Sequence, residues 1–249
     1  MNKKGEDPSV DLSWKRYIFP PIHPEGVRFV ALFAAGAFLL YALFHFIGCS
    51  TLTCFVGFIG LLLTVFCFFF FRNPDRVTPV GDSLIVAPAD GIVSNIKEVV
   101  PPKEIDMGKD PLIRISIFMS VFNVHINRSP ATGKIHKIHY RAGKFMNVAD
   151  KDSEDNEREE YSLIMKDGQK VGFVQIAGLV ARRIVSFVKQ GDALKAGQRF
   201  GLIRFGSRLD VFLPKGVKPL VALGQIAVGG ETVLANVAGK QEQVKGEVR

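Results

Sequence analysis

Gly206 and Ser207 stand between two short apolar runs, residues 200–205 and 209–213, in the string Phe205-Gly206-Ser207-Arg208. A serine hydroxyl is a weak nucleophile until a neighbouring group takes its proton, and histidine is the usual acceptor. A carboxylate then holds the imidazole in one tautomer and stabilises its charged form. Histidines are scarce: beyond the apolar N-terminal third there are only His125, His136 and His139. His125 follows an apolar run and is flanked by polar residues, in Ser120-Val-Phe-Asn-Val-His-Ile-Asn-Arg-Ser-Pro130. Asp90-Gly91 offers a carboxylate at a strand end. A Gly-Ser step also serves as a plain turn or bulge, Asp before Gly is a standard turn residue, and a single histidine is commonly structural. The chemistry depends on the fold bringing Asp90, His125 and Ser207 together.

Other chemistries are poorly supplied. All three cysteines (Cys49, Cys54, Cys67) lie in the apolar stretch, and none follows Arg72. That excludes a disulfide scaffold, a zinc ribbon and a cysteine nucleophile from the polar part. The acidic run 150–161 fails as a calcium loop, because Asp155 stands where glycine is needed and Tyr161 where the bidentate glutamate belongs. His136 and His139 have no third ligand nearby in sequence and read as exposed strand residues, so no metal is expected.

The elements that must position these groups fall into two parts. The chain has 249 residues, 47% hydrophobic, with a mean hydropathy of +0.19. Residues 29–71 contain no Asp, Glu, Lys or Arg and hold twelve of the 21 Phe. A bilayer span needs about 20 apolar residues. Residues 27–47 and 55–71 therefore read as two antiparallel membrane helices joined by a turn over 48–54. The run starts too far from Met1, and lacks the cleavage pattern, for a signal peptide. Lys15, Arg16 and Arg28 precede it and Arg72 and Arg76 follow, while the turn has no basic residue, which predicts both ends on the cytoplasmic side of the inner membrane. His45, near the outer end, reads as a neutral interfacial histidine.

Residues 72–249 carry 27 basic and 20 acidic groups, a net +7 that suits an anionic leaflet. No basic run, helix-turn-helix or finger signature points to nucleic acid. Short apolar runs at 83–87, 92–93, 113–118, 134–140, 161–165, 171–176, 200–205 and 209–213 read as strands, with Asp167-Gly168 as a hairpin turn. Residues 180–188 fit a helix or a strand. The turns at 87–93 and 188–198 resemble those of biotinyl/lipoyl-type hybrid barrels. The expected fold is mainly β, a sandwich or hybrid barrel with few short helices, behind an α-helical transmembrane hairpin. The expected segments are a cytoplasmic 1–27, an anchor 28–71 and a β-rich 72–249.

Taken together, Phe71-Arg-Asn-Pro-Asp-Arg76, Ala87-Pro-Ala-Asp-Gly91, Asn123-Val-His-Ile-Asn-Arg-Ser-Pro130, Asp150-Lys-Asp-Ser-Glu154, Asn156-Glu-Arg158, Val174-Gln-Ile-Ala-Gly178, Ala181-Arg-Arg-Ile184 and Arg204-Phe-Gly-Ser-Arg208 resemble the phosphatidylserine decarboxylases. The likeness is to the short bacterial branch with two N-terminal membrane helices. It implies a proenzyme that cuts itself at Gly206–Ser207, with Asp90, His125 and Ser207 as the catalytic set, into chains 1–206 and 207–249. It further implies that Ser207 becomes a pyruvoyl group, the covalent cofactor that accepts electrons as phosphatidylserine loses CO2 to give phosphatidylethanolamine. The implied partners are the anionic phospholipid, the bilayer and the two cleavage chains for one another, with higher homo-oligomers left open. Where the longer bacterial branch has a second histidine, this chain has Phe122, which leaves the substrate carboxylate to another group; Asn123 is the nearest polar residue. Arg72, Arg76 and Arg128 are candidate phosphate contacts.

Two rival readings share the same strands. One is a membrane-anchored adaptor or carrier domain without catalysis, for which Lys195 is the lysine beside a tight turn, though the usual Met-Lys pair is missing. The other keeps the chemistry and changes the serine phospholipid.

Overall fold

The computed structural model describes residues 20–143, 156–178, 183–204 and 207–239. The chain divides into two compact units, one ending at Asp75 and the other beginning at Arg76.

In the first unit, α1 (Pro24–Phe46) and α2 (Ser50–Phe70) are each long and apolar enough to cross a bilayer. The His23 ring caps α1 by accepting from the Glu25 amide at 3.2 Å, and Pro24 opens the helix where its missing N–H costs nothing. The helices lie antiparallel, and a Cβ on Gly60 would collide with the Cβ of Ala37, so Gly60 lets them approach closely. Phe29 stacks on Phe71 at 5.2 Å. The connection is shorter than the sequence reading, since residues 50–54 belong to α2. Their hydroxyls do not break the helix because they bond back to it: Thr53 Oγ1 donates to the Cys49 carbonyl at 2.9 Å.

The second unit is mainly β. Its strands are β1 (Leu84–Val86), β2 (Gly91–Val99), β3 (Leu112–Met119), β4 (Ile126–Arg128), β5 (Gly133–Arg141), β6 (Arg158–Met165), β7 (Lys170–Ala177), β8 (Ile184–Ser186), β9 (Ala193–Leu194), β10 (Arg199–Ile203), β11 (Ser207–Phe212), β12 (Ile226–Ala227) and β13 (Val233–Asn236). Eight of them form one antiparallel sheet in the order β12-β2-β3-β11-β7-β6-β5-β9. A smaller sheet, β4-β10-β8, and the pair β1-β13 complete the described strands. The Asp167-Gly168 hairpin is found, with Gly168 at φ +84°. Within the uncertain run 180–188, residues 184–186 form a strand, and 179–182 lie outside the described residues.

Strand alternation explains the core. Ile115, Ile117 and Met119 of β3, Leu209 and Val211 of β11 and Phe173 of β7 face inward. Tyr161, Phe173 and Phe200 pack ring against ring, with centroids 4.9 to 5.1 Å apart, and so join β6 and β7 to β10 of the small sheet. The β7 run is apolar on both parities because the outer face is covered too: Leu112, Val174, Ile176 and Phe212 form a second buried cluster.

Candidate active site

Ser207 is the first residue of β11, opposite Met119 of β3 and Ala177 of β7. It is neither a hairpin turn nor a bulge. Residues 204–206 carry the chain from β10 in the small sheet to β11 in the large one, and Phe205 and Gly206 lie outside the described residues. The Ser207 side chain is fully buried, with its hydroxyl 4.0 Å from the Met119 sulfur.

The Asp90 turn enters at the same sheet end. Ile92 pairs with Phe118, and the next step of that register sets Gly91 level with Met119. Gly91 and Ser207 are thus two strands apart, about 10 Å. A Cβ on Gly91 would strike the Phe118 carbonyl, so only glycine lets the Asp90 turn enter the sheet here. Both Asp90 carboxylate oxygens are engaged: Arg76 Nη2 donates to one at 2.7 Å and the Gly229 amide to the other at 2.8 Å. Neither Arg76 nor Asp90 is more than 17% exposed, so the pair is largely desolvated. The turn is also tied to β4, since the Arg128 amide donates to the Pro88 carbonyl at 2.8 Å.

His125 is buried immediately before β4. Two residues on, Asn127 points into the core, where its Nδ2 lies 3.7 Å from the same Met119 sulfur. His125 itself precedes the strand, and the β4–β10 register begins with Ile126 opposite Leu202, two residues before Arg204. Gly91, after Asp90, and Ser207 thus lie at one end of the large sheet, and the Met119 sulfur meets both Ser207 and Asn127, two residues after His125.

A buried polar chain continues from there. Gln175 Nε2 donates to Asn127 Oδ1 at 2.7 Å, the Tyr161 hydroxyl donates to Gln175 Oε1 at 3.0 Å, and the same phenol meets Ser186 Oγ at 3.1 Å. Burial, with the Glu159 carboxylate close by, pushes the Tyr161 phenol up, so it remains a donor. The sequence reading missed this chain. Its one signal was Gln175, a polar residue inside the apolar run 171–176.

The remaining candidates lie elsewhere or are otherwise occupied. Asn123 Oδ1 accepts from both the amide and the hydroxyl of Ser120 at 2.9 Å, fixing the turn before His125. Arg128 is 5% exposed and donates to the Gly197 carbonyl at 2.9 Å. Arg72, in the first unit, stacks its guanidinium 3.7 Å from the Phe69 ring centre. His136 and His139 lie on β5 against Asp106 at 3.1 Å and Glu160 at 3.2 Å. Lys195 is exposed in the turn between β9 and β10. The acidic run up to residue 155 lies outside the described residues.

A model of the family described as phosphatidylserine decarboxylase matches residues 63–235. The chain is 55% identical over 218 residues to a protein of Ruegeria pomeroyi, covering 87% of this chain and 95% of the relative. It is 50% identical to one from Cereibacter sphaeroides, covering 92% and 95%. A third, from Paramagnetospirillum magneticum, is 52% identical, covering 96% of each. All three are named phosphatidylserine decarboxylase proenzyme. With two thirds of its length inside the family model, and relatives at half identity spanning nearly all of it, the chain belongs to the phosphatidylserine decarboxylase family.

Proposed function

We propose that the chain is a proenzyme that cuts itself between Gly206 and Ser207 and then decarboxylates phosphatidylserine to phosphatidylethanolamine and CO2. The observation that carries this reading is the position of Ser207: buried, at the head of β11, beside the Met119 sulfur that also meets Asn127, two residues after His125. The relatives' names supply the substrate.

In the cleavage step His125 takes the proton of Ser207 Oγ, which attacks the Gly206 carbonyl carbon. The amide bond breaks as the proton passes to the leaving nitrogen, leaving an ester. Loss of the Ser207 α-proton then expels the Gly206 carboxylate, and hydrolysis of the resulting dehydroalanine releases ammonia and leaves a pyruvoyl group at position 207. Residue 207 suits this fate, because a cut at the head of β11 removes no strand from either sheet. The products stay interlocked: β11 lies between β3 and β7, β12 pairs with β2 and β13 with β1.

The pyruvoyl carbonyl supplies an electron sink that no ordinary side chain offers for decarboxylation. His125, freed after cleavage, returns a proton to the carbon that lost CO2. Arg76 and the Gly229 amide hold Asp90 in place while His125 shuttles protons. The two apolar helices and the basic second unit suit a cytoplasmic-leaflet enzyme of the inner membrane, with only the short helix connection outside.

The test is turnover. Purified protein in vesicles containing phosphatidylserine labelled in the serine carboxyl should release labelled CO2 and form phosphatidylethanolamine, and His125→Ala should do neither. Release of label without phosphatidylethanolamine, or no release by a self-cleaved protein, would contradict the reading.

A further inference from the structure

Beside the Ser207 row runs a second row of paired residues across seven strands: Ile226, Ile92, Phe118, Arg208, Ile176, Arg158 and Arg141. Residues directly opposite in antiparallel strands share a face, so this row lies on one face at the sheet end that carries Ser207. One end is apolar and open to solvent, with Ile226 71% and Ile92 48% exposed. Leu223, next to the Gly224 amide that bonds the Val93 carbonyl at 2.8 Å, is 66% exposed. Phe122, in the loop from β3 to His125, is 64% exposed. The rest of the row holds three arginines around the buried Ile176: Arg208 pairs with Asp210 at 3.0 Å, Arg158 lies 3.9 Å from Glu160, and Arg141 at the far end is exposed.

Single exposed apolar residues are unremarkable on a protein surface, but four large ones at one sheet end form a patch suited to docking. We infer that Ile92, Phe122, Leu223 and Ile226 form a rim that dips into the bilayer, with the net basic domain held against anionic headgroups. This inference rests on the lipid-decarboxylase reading. Charge complementarity identifies the occupant: residues 72–249 carry a net +7, and the substrate leaflet is anionic. A dipping rim holds the sheet end against the lipid interface, so that a headgroup reaches position 207 while its chains stay in the membrane.

Two measurements on the full-length protein in phosphatidylserine-containing vesicles test this. In a Trp14→Phe background, which removes the only tryptophan, Leu223→Trp should be quenched by lipids brominated in the acyl chain. Val100→Trp, at the exposed far end of β2, should not. Separately, Ile92→Ser, Leu223→Ser and Ile226→Ser combined should lower kcat/KM on vesicles about tenfold. On a monodisperse short-chain phosphatidylserine they should leave it within about twofold of the wild type. Equal quenching at both positions, unchanged vesicle activity, or an equal loss on both substrates would overturn the rim. If the wild type turned over neither substrate, the decarboxylase reading itself would fail, and the quenching would still decide whether the rim meets lipid.

Discussion

Replacing Gln175 with leucine removes two buried hydrogen bonds and strands one of their partners. The Tyr161 hydroxyl keeps Ser186 Oγ at 3.1 Å, but Asn127 Oδ1 loses the amide that bonds it at 2.7 Å. Gln175 and Asn127 are both fully buried, so no water replaces that donor. An orphaned buried acceptor costs about 1–3 kcal/mol, and the lost bonds add about 1 kcal/mol each before leucine's apolar burial offsets part of the total. A net loss of about 2–3 kcal/mol follows. For a domain of this size that lowers Tm by about 4–12 °C. Asn127→Leu alone should cost a similar amount, by stranding Gln175 Nε2. The double variant should cost less than the sum by at least about 1 kcal/mol, because no orphan remains. Thermal unfolding of the four proteins in one detergent reads this directly. Additive losses, or a Gln175→Leu protein within a degree of wild type, would refute the chain of bonds.

Two other outcomes follow from the structure. Gly91→Ala drives a Cβ into the Phe118 carbonyl, a backbone atom that cannot yield without parting β2 from β3. The variant should lose more than about 3 kcal/mol and remain uncut, whereas Gly108→Ala, in open space but at φ +91°, should still be cut. Burial pushes the Glu160 carboxyl up, against the opposing pull of His139 and Arg158. A raised acid contributes stability when protonated and loses it as pH rises through its folded pKa. Wild type should therefore gain stability relative to Glu160→Gln as pH falls from 8 to 4, as unfolding at each pH will show.

Strand periodicity made most of the large sheet legible: the runs at 113–118, 134–140 and 171–176 lie inside β3, β5 and β7. The first unit was legible as two apolar helices, but residues 50–54 read as a turn because their hydroxyls look like helix breakers. Within the helix the Thr53 hydroxyl reaches the Cys49 carbonyl instead. The short β12 and β13 carried no signal, since each is defined by a partner more than a hundred residues away in the chain. The three candidate catalytic residues were legible by type, and the fold sets Ser207 and the Asp90 turn at one sheet end. What holds them was not. Arg76 read as a phosphate contact, yet it pairs with Asp90 from fourteen residues away, and nothing in the sequence singled out Met119. Pairings of that kind depend on register, which no local pattern records.

In the proposed mechanism Ser207 both cuts the chain and becomes its cofactor. Intact masses of the wild type beside Ser207→Ala test it most directly. The wild type should give two chains divided after Gly206, the shorter lighter by one ammonia than a peptide beginning with serine, and the variant should stay whole. A folded, membrane-inserted wild type of one uncut chain, or a cut that persists in Ser207→Ala, would contradict the account.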